Sequence, residues 1–326
     1  MGGYSPAHSW FPGIAAAPDD VDVSEGIAAA KVGAGMTYTF AAWFAAWGRF
    51  LAWRWLSSFT CNALGGQMIK QFLTGVLALL LLLLAGCGSV PVTGRTQLQM
   101  VSEQQEIKMG LTSFREILGK EKLSADPVLN ERVQRIGKRI AAATGRTDYQ
   151  WEFKVIDNDK MLNAFCLPGG KVAVYTGLLP VAQDDAGLAA VIAHEVAHAI
   201  ARHGGERLSQ ELLVAGLSVA TVMATHDSPN RDLYVGLLGA GAAVGLLLPY
   251  SRLHESEADR MGMIYMAKAG YDPRAALALW QRMAVAAKGK SRPPEWLSTH
   301  PADETRIKEI ERWLPEALSH YRPVGQ

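Results

Sequence analysis

Apolar residues recur at every third or fourth position over much of the chain after residue 100, and this spacing predicts amphipathic helices. Two starts are marked by caps, since Ser102 with Gln105 resembles a capping box and Asp272 precedes a proline at the first helical position. The helices predicted in this way cover residues 103–118, 127–143, 187–203 and 253–269, and two more lie within 271–283 and 300–314.

Two short segments have the composition of strands. They are WEFKVID at 151–157 and KVAVYT at 171–176, and the second follows a Pro-Gly-Gly turn. The glycine pair Gly204-Gly205 is predicted to end the helix 187–203. Together these elements predict an α+β protein, mostly helical, with one small sheet.

Two further apolar stretches are rich in small residues and carry no charge, Leu212–Ala224 and Leu233–Leu248. Each is shorter than the roughly 20 residues that a membrane-spanning helix needs. We therefore expect close-packed core helices here rather than membrane spans, which also argues against an integral membrane protein.

A stretch that begins at Met68, MIKQFLTGVLALLLLLLAGCGS, has the build of a secretory signal peptide. Lys70 precedes an apolar run, and small residues lead up to Cys87. The ending LAGC resembles the bacterial lipobox, in which the cysteine is acylated and becomes the first residue of the mature protein. The competing interpretation, an internal buried helix followed by a chance cysteine, accounts less well for this order of features.

Residues 1–67 precede the signal, although a signal peptide needs a short, free n-region. Within them, FAAWFAAWGRFLAWRWL is either a membrane-seeking amphipathic segment or a stretch that is never translated, because translation starts at Met68. We favour the second interpretation. The expected organisation is then a signal peptide at 68–86, a tether rich in Gly, Pro, Ser and Thr at 87–101, and a folded domain at 102–326.

Charge and cysteine content exclude several classes of function. The 32 basic and 31 acidic residues nearly balance, so neither a nucleic-acid groove nor a polybasic membrane patch is indicated, and no nucleic-acid partner is expected. Three cysteines, Cys61, Cys87 and Cys166, are too few and too scattered for a disulfide framework or a cysteine zinc ribbon. Cys166 is expected to be a small buried residue.

The segment VIAHEVAHAI carries the pattern HExxH within an apolar helix. Residues four apart share one face of a helix, so His194 and His198 can bind one ion while Glu195 faces the same cleft. Catalytic zinc takes three protein ligands and a water, whose pKa it lowers to about 7. Glu195 is then the general base that accepts the water proton and passes it to the leaving amine. We expect one Zn²⁺ per chain, provided that a third ligand exists.

The third ligand distinguishes the subclasses of zinc protease. The metzincin pattern, with a third histidine six residues after the second, is absent, whereas the later segment SRLHESEADRMG offers His254, Glu255 and Glu257 by residue type. Glu255 and Glu257 point in roughly opposite directions on a helix, so both cannot face one metal. Glu255 and Asp259 share a face, which permits Glu255 on zinc and Asp259 hydrogen-bonded to a ligand histidine.

HEVAHAIARH followed by SRLHESEADRMG, with NAFCLPGGKVAVYTGLL upstream, resembles the zinc metalloprotease family of the HtpX heat-shock protease and CAAX prenyl protease 1. With its lipobox, the chain is most similar to the family's periplasmic lipoprotein branch, the LoiP and BepA type. The resemblance covers most of the chain from Cys87 to about Leu318. It implies a zincin-like metalloprotease domain with an HExxH active-site helix and places the third zinc ligand on Glu255. The long transmembrane segments of multi-pass members are missing, which argues against prenyl-protein processing.

The same resemblance implies further site residues. A strand beside the cleft would pair, as an edge strand, with an extended substrate, and its residues here are Gly170, Lys171, Val172, Ala173 and Val174. His300 stands where the periplasmic members carry a histidine that can approach zinc, as a fourth ligand or an oxyanion donor. From the residues alone, His300 is only a histidine before a proline at a helix start. Asn163 is a family position whose role does not follow from the residues.

The expected function is zinc-dependent hydrolysis of peptide bonds in misfolded or unassembled cell-envelope proteins. The enzyme would be lipid-anchored through Cys87 in the periplasm, and Gly88 indicates the outer membrane by the usual sorting of such lipoproteins. The expected partners are unfolded envelope polypeptides, the membrane and envelope assembly machinery. The alternative is a chaperone-like assembly factor whose metalloprotease site is latent, but the presence of Glu195 favours the enzyme.

Overall fold

Helices dominate the computed structural model, which describes residues 87–287, 300 and 304–323. The predicted signal peptide at 68–86 and the preceding residues 1–67 lie outside the described residues. The fold is α+β, as the sequence predicts, with a small sheet beside a helical core.

The first described residues form a β-hairpin rather than a free tether. Strand β1 (Cys87–Ser89) pairs antiparallel with β2 (Thr96–Leu98), and Val90 at the end of β1 is buried. Arg95, just before β2, forms ion pairs with two buried glutamates of the helical domain. These ion pairs hold the stretch against the domain, where we expected a tether. The composition of 87–101 does not reveal such long-range contacts.

Two helices follow and begin where the sequence predicts. Helix α1 (Glu103–Lys120) has its capping box, because the Ser102 hydroxyl accepts from the N–H of Gln105 and the Gln105 side chain accepts from the N–H of Ser102. Helix α2 (Pro127–Thr144) starts with proline behind the cap residue Asp126. Both starts follow from local side-chain hydrogen bonds, which is why the sequence alone predicts them.

The sheet contains β3 (Glu152–Ile156), β4 (Ala164–Leu167) and β5 (Lys171–Tyr175) in the order β3-β5-β4. Strand β5 is parallel to β3 and antiparallel to β4. The turn between β4 and β5 contains Gly169 and Gly170 with φ of 85° and 81°, a backbone region that favours glycine.

The central position of β5 corrects the expected edge strand at Gly170–Val174. Both sides of β5 pair within the sheet, so its backbone cannot pair with a substrate. Strand β4 is an edge strand instead. The sequence predicts β3, β5 and the turn before β5, but neither strand β4 nor the pairing of β3 with β5, and that long-range pairing decides the order.

The HExxH segment lies in helix α3 (Asp185–Ile200), which is buried along most of its length. A 3₁₀ turn and a single helical turn connect β5 to it, at Thr176–Leu178 and Leu179–Ala182. The chain leaves α3 at Arg202, whose φ is 57°, and helix α4 (His203–Ala224) starts at once.

The predicted stop at Gly204-Gly205 is therefore wrong, because both glycines lie inside α4. A Cβ built on Gly205 would lie 2.1 Å from Oε1 of Glu106. Glycine at this position thus admits the Glu106 side chain of α1, and it serves packing rather than helix termination.

Apolar side chains of α4 and α5 (Arg231–Ala242) are exposed, contrary to the expectation of close-packed core helices. Helix α5 has no buried residue, and Met223 and Leu237 are 75% and 61% exposed. Composition at 212–224 and 233–248 does not specify whether another layer covers these helices. Within the part of the chain that the structure describes, no helix is long and apolar enough to cross a membrane.

After a π-helical turn at Ala243–Leu247, three helices complete the domain. They are α6 (Leu248–Lys268), α7 (Arg274–Ala287) and α8 (Glu304–His320). Helix α6 packs along α3, and Gly262 lies at the contact. A Cβ on Gly262 would lie 3.0 Å from the backbone nitrogen of His194, so the missing side chain allows the two helices to approach at that point.

We expect Gly262→Val to destabilise the protein by about 1–3 kcal/mol, because the added atoms press on the backbone of α3, which cannot move aside as a flexible side chain would. The control is Gly216→Val in α4, where a Cβ meets nothing within 4 Å. Urea denaturation of both variants measures the difference, and equal effects of the two would contradict the close-approach argument.

Candidate metal centre

His194 and His198 lie on one face of α3, and their Nε2 atoms are 3.1 Å apart. His194 is buried, and His198 is half-buried. The i, i+4 spacing on the helix brings both imidazoles to one point, as the sequence predicts.

Helix α6 and His300 contribute the other donor atoms. Glu255 Oε2 lies 3.4 Å from His194 Nε2, and Glu255 Oε1 lies 3.4 Å from His198 Nε2. His300 Nδ1 lies 3.2 Å from His194 Nε2 and 2.9 Å from Glu255 Oε2. One donor atom from each of the four residues lies within 4.8 Å of the others. The structure thus brings together the three predicted ligands and the predicted fourth residue.

The spacing of these atoms fits zinc. Four ligands at zinc-bond length in a tetrahedron have their donor atoms about 3.3–3.4 Å apart. The distances here, 2.9 to 3.4 Å, are close to that value. Imidazole nitrogen and carboxylate oxygen are also donors that zinc accepts.

Asp259 lies behind His194, with its Oδ1 atom 3.0 Å from His194 Nδ1. A proton on Nδ1, next to this carboxylate, leaves the lone pair of His194 on Nε2, which faces the cluster. This carboxylate–histidine contact orients ligands in zinc sites. The structure places Asp259 one helical turn beyond Glu255, on the face that the sequence predicts.

Arg306 of α8 joins the two carboxylates of α6. Its Nε and Nη2 atoms bind Asp259 at 2.5 and 2.9 Å, and its Nη1 atom binds Glu255 Oε2 at 2.9 Å. The guanidinium also lies 3.5 Å from the ring centre of Trp280, a cation–π contact. Because the three charged side chains are buried, this pairing offsets the cost of removing them from water.

Burial and neighbouring charges shift the titration of the cluster. Burial disfavours the charged form of His194, but hydrogen bonds with Asp259 and Glu255 outweigh it and raise the pKa of His194 to about 9. Burial lowers the pKa of His198 to about 4 despite the attraction of Glu255. Burial opposes ionisation of both carboxyls, yet His300 and Arg306 hold the pKa of Glu255 well below its usual value, and Arg306 and His194 lower that of Asp259. Both groups therefore stay ionised, and their charge favours a bound cation.

The predicted general base, Glu195, is buried on α3, and its Oε1 atom lies 3.5 Å from His300 Nε2. Strand β4 packs against α3, the helix that carries Glu195. Burial, together with the charge of Glu195, raises the pKa of Cys166 on this strand. Cys166 is a small buried residue, as predicted. Asn163, just before β4, is buried, and its side-chain oxygen accepts from the N–H of Ala164.

A second group of charged side chains, which we call the Arg95 cluster, lies behind His198. Arg95 binds Glu206 and Glu257, both buried, and His203 and His254 stack with ring centres 4.2 Å apart. Glu257 thus points away from the metal donors, as the helix geometry predicts. His254, a candidate ligand by type, binds Glu206 with a distance of 2.8 Å from Nε2 to Oε2.

Sequence reasoning missed Arg306 and the Arg95 cluster because their contacts span long stretches of chain. Arg306 binds Asp259 from 47 residues away, and Arg95 binds Glu257 from 162 residues away. One signal was present, since SRLHESEADRMG carries charged residues on more than one helix face. A helix that is charged on several faces inside a core needs several partners.

Fold and metal cluster define a zinc metalloprotease. The chain belongs to peptidase family M48, whose model matches residues 127–314, more than half of the 326 residues. The matched segment contains the metal cluster and Glu195, so the site is that of a zinc metalloendopeptidase of this family.

The chain is similar to named relatives over about 70% of its length. It is 39% identical to "Mitochondrial metalloendopeptidase OMA1" of Schizosaccharomyces pombe, over 70% of this chain and 66% of that protein. It is 33% identical to the protein of the same name in Saccharomyces cerevisiae, over 74% and 75%. It is 30% identical to "Beta-barrel assembly-enhancing protease" of Yersinia pestis, over 71% and 48%. The match thus spans between about half and three quarters of these relatives.

These relatives correct the expected location. The relatives named as mitochondrial are 33–39% identical to the chain, and the bacterial assembly-enhancing proteases are 29–32% identical. The expectation of a periplasmic protein lipid-anchored to the outer membrane is therefore wrong. It rested on the LAGC motif, whose short pattern of small residues before a cysteine also occurs by chance. Acylation of Cys87 and membership of a lipoprotein branch remain predictions from that motif.

We expect Arg306→Met to destabilise the protein by about 3–5 kcal/mol, because Glu255 and Asp259 then stay buried without this cation. The control is Arg260→Met, whose partner Glu316 lies near the surface, with an expected cost of about 0–1 kcal/mol. Urea denaturation in the presence of a chelator isolates the effect from metal binding. A small effect of Arg306→Met, no larger than that of Arg260→Met, would contradict this account of charge balance.

Proposed function

We propose that the chain is an endopeptidase that uses one zinc ion, held by His194, His198 and Glu255, to cleave unfolded or unassembled polypeptides. The observation that carries this proposal is the convergence of these donor atoms, at distances that suit a single zinc ion, beside the buried carboxylate Glu195. Membership of family M48 supports the reaction class.

Bound zinc would supply Lewis-acid chemistry and lower the pKa of water to about 7. Glu195 accepts a proton from the water while the water oxygen attacks the scissile carbonyl carbon. Glu195 then gives that proton to the amine nitrogen as the carbon–nitrogen bond breaks, so it ends the cycle ionised. Asp259 and Arg306 keep His194 and Glu255 in place during these steps.

The edge of β4 supports binding of an extended substrate. Strand β4 pairs with β5 on one side, and no strand within the described ranges pairs with its other side. The outer side of β3, in contrast, is covered in part by backbone hydrogen bonds from Ser124 to Val155 and from Asp157 to Lys122. A peptide added along β4 would be held through its backbone, which tolerates varied sequences and suits unfolded chains. The packing of β4 against α3, which carries Glu195, supports this proposal.

The position of His300 favours a second candidate function, a chaperone-like factor whose protease site is latent. Its Nδ1 atom lies among the donor atoms, where it would take the coordination position that catalytic zinc keeps for water. Such a protein would grip unfolded chains and cleave few of them. The name of the Yersinia pestis relative joins assembly and proteolysis in one protein. Digestion of an unfolded protein such as casein, with and without chelator, separates the two candidates.

We expect Glu195→Gln to retain zinc and fold but to lose proteolysis by about 10²–10⁴-fold, since the amide cannot accept the water proton. Zinc content and casein cleavage are measured on the same samples. The matched control is Glu211→Gln, at a half-buried glutamate that pairs with Arg207 on α4, and this variant should keep full activity. Full activity of Glu195→Gln would reject the general-base role.

We expect His300→Ala to keep zinc, which three ligands suffice to hold, and to raise kcat/KM. The gain is on the order of 10-fold if His300 blocks the site in nine of ten molecules. Lower activity with zinc retained would instead identify His300 as a donor to the developing oxyanion. Unchanged kinetics would leave His300 with a structural role and remove the support for latency.

A further inference from the structure

The ring nitrogen of His198 that faces away from the metal donors meets another histidine. His198 Nδ1 and His203 Nδ1 are 2.9 Å apart, so one donates and the other accepts. On its far side, His203 Nε2 lies 3.4 Å from Glu257 Oε2, and a carboxylate only accepts. A neutral His203 therefore carries its proton on Nε2, and its Nδ1 accepts from the N–H of His198. The lone pair of His198 is then on Nε2, where the metal cluster needs it.

Glu257 is held in turn by the N-terminal hairpin. Its Oε1 atom accepts from the Thr93 hydroxyl at 2.6 Å, and its Oε2 atom accepts from Arg95 Nε at 2.8 Å. Through its other two nitrogens, Arg95 binds Glu206 at 2.9 and 2.6 Å. Arg95 thus lies between two buried carboxylates. It holds Glu257 in place, and Glu257 in turn holds His203.

The rings of His203 and His254 hold the geometry from the side. They are nearly parallel, with an interplanar angle of 12°. His254 itself is held by Glu206, so both carboxylates that Arg95 binds support the same histidine stack. His203 consequently has little freedom to turn away from His198.

We propose that Arg95 and His203 are positioning residues for the zinc ligand His198. The path runs from the guanidinium of Arg95 through Glu257 and His203 to His198, and it sets which nitrogen of His198 carries the lone pair. For His194 the path is shorter, because Asp259 contacts its Nδ1 atom directly. This inference rests on the proposed function in that it takes His198 as a zinc ligand.

The path also extends the active site to a part of the chain outside the family match. Thr93 and Arg95 lie in the hairpin at 87–98, whereas the family M48 model matches from residue 127. The hydrogen bonds from Thr93 and Arg95, in the turn between β1 and β2, to Glu257 link the hairpin to the metal centre through His203. A change in how the hairpin sits would therefore alter zinc binding.

The test measures the zinc dissociation constant of the full chain by competition with a chelator of known affinity. His203→Phe keeps an aromatic ring on His254 but removes the acceptor, and it should weaken zinc binding about 10–100-fold. Arg95→Met should weaken zinc binding about tenfold, and Arg95→Lys should recover part of the loss, since it restores a cation between Glu206 and Glu257. The melting temperature of the chelator-treated protein is measured separately, so that lost stability is not mistaken for lost affinity.

The matched control is Arg146→Met. Arg146 is 23% exposed, against 18% for Arg95, and it too binds two carboxylates, Glu103 and Asp148. The Arg146→Met variant should leave the zinc affinity unchanged. Parent-like affinity in His203→Phe and Arg95→Met would overturn the proposal even if both melt earlier, and so would an equal loss in Arg146→Met. If Arg95→Met does not fold, the zinc affinities of His203→Phe and Arg95→Lys decide whether the proposal stands. A parent chain that binds no zinc contradicts the proposed function rather than this inference.

Discussion

The packing of α3 against α6 is the contact on which the metal centre depends. Helix α3 carries His194, Glu195 and His198, and α6 carries Glu255 and Asp259, so neither helix holds a complete site. Their approach is close because Gly262 has no side chain at the point where it meets His194. Donor distances near 3.3 Å require this approach, since a shift of 1 Å between the helices would separate the ligands by more than a zinc ion can bridge.

Burial of charge is the second constraint. Carboxylates in an apolar core are costly unless each has a partner, and the chain supplies these partners from distant elements. Arg306 reaches Glu255 and Asp259 from α8, and Arg95 reaches Glu206 and Glu257 from the hairpin. Arg306 contacts the carboxylate next to His194, whereas Arg95 reaches His198 through Glu257 and His203. The helix α6 can therefore carry acidic residues on several faces while it stays in the core.

Local signals account for the parts of the fold that the sequence predicts. The starts of α1 and α2 follow from caps, and the β4–β5 turn follows from its glycines, because each depends on neighbouring residues only. The predictions that failed depended on distant residues. The order of the sheet depends on β3, the helix stop at Gly204-Gly205 was overridden by packing against Glu106, and the exposure of α4 and α5 depends on whether another layer covers them.

The sequence by itself determined the HExxH face of α3 and showed that Glu255 and Glu257 cannot both face one metal, since 3.6 residues per turn fix which side chains share a face. The choice of Glu255 came from the family resemblance. The sequence also pointed to Asp259 beside a ligand histidine, which the structure identifies as His194. Only the tertiary structure decided that His300 enters the cluster, that β4 rather than β5 forms the edge beside Glu195, and that Arg306 and Arg95 stand behind the ligands. These contacts join residues that are far apart in the chain. Helical and strand periodicity carries no information about such pairs, because it describes the geometry of one element at a time.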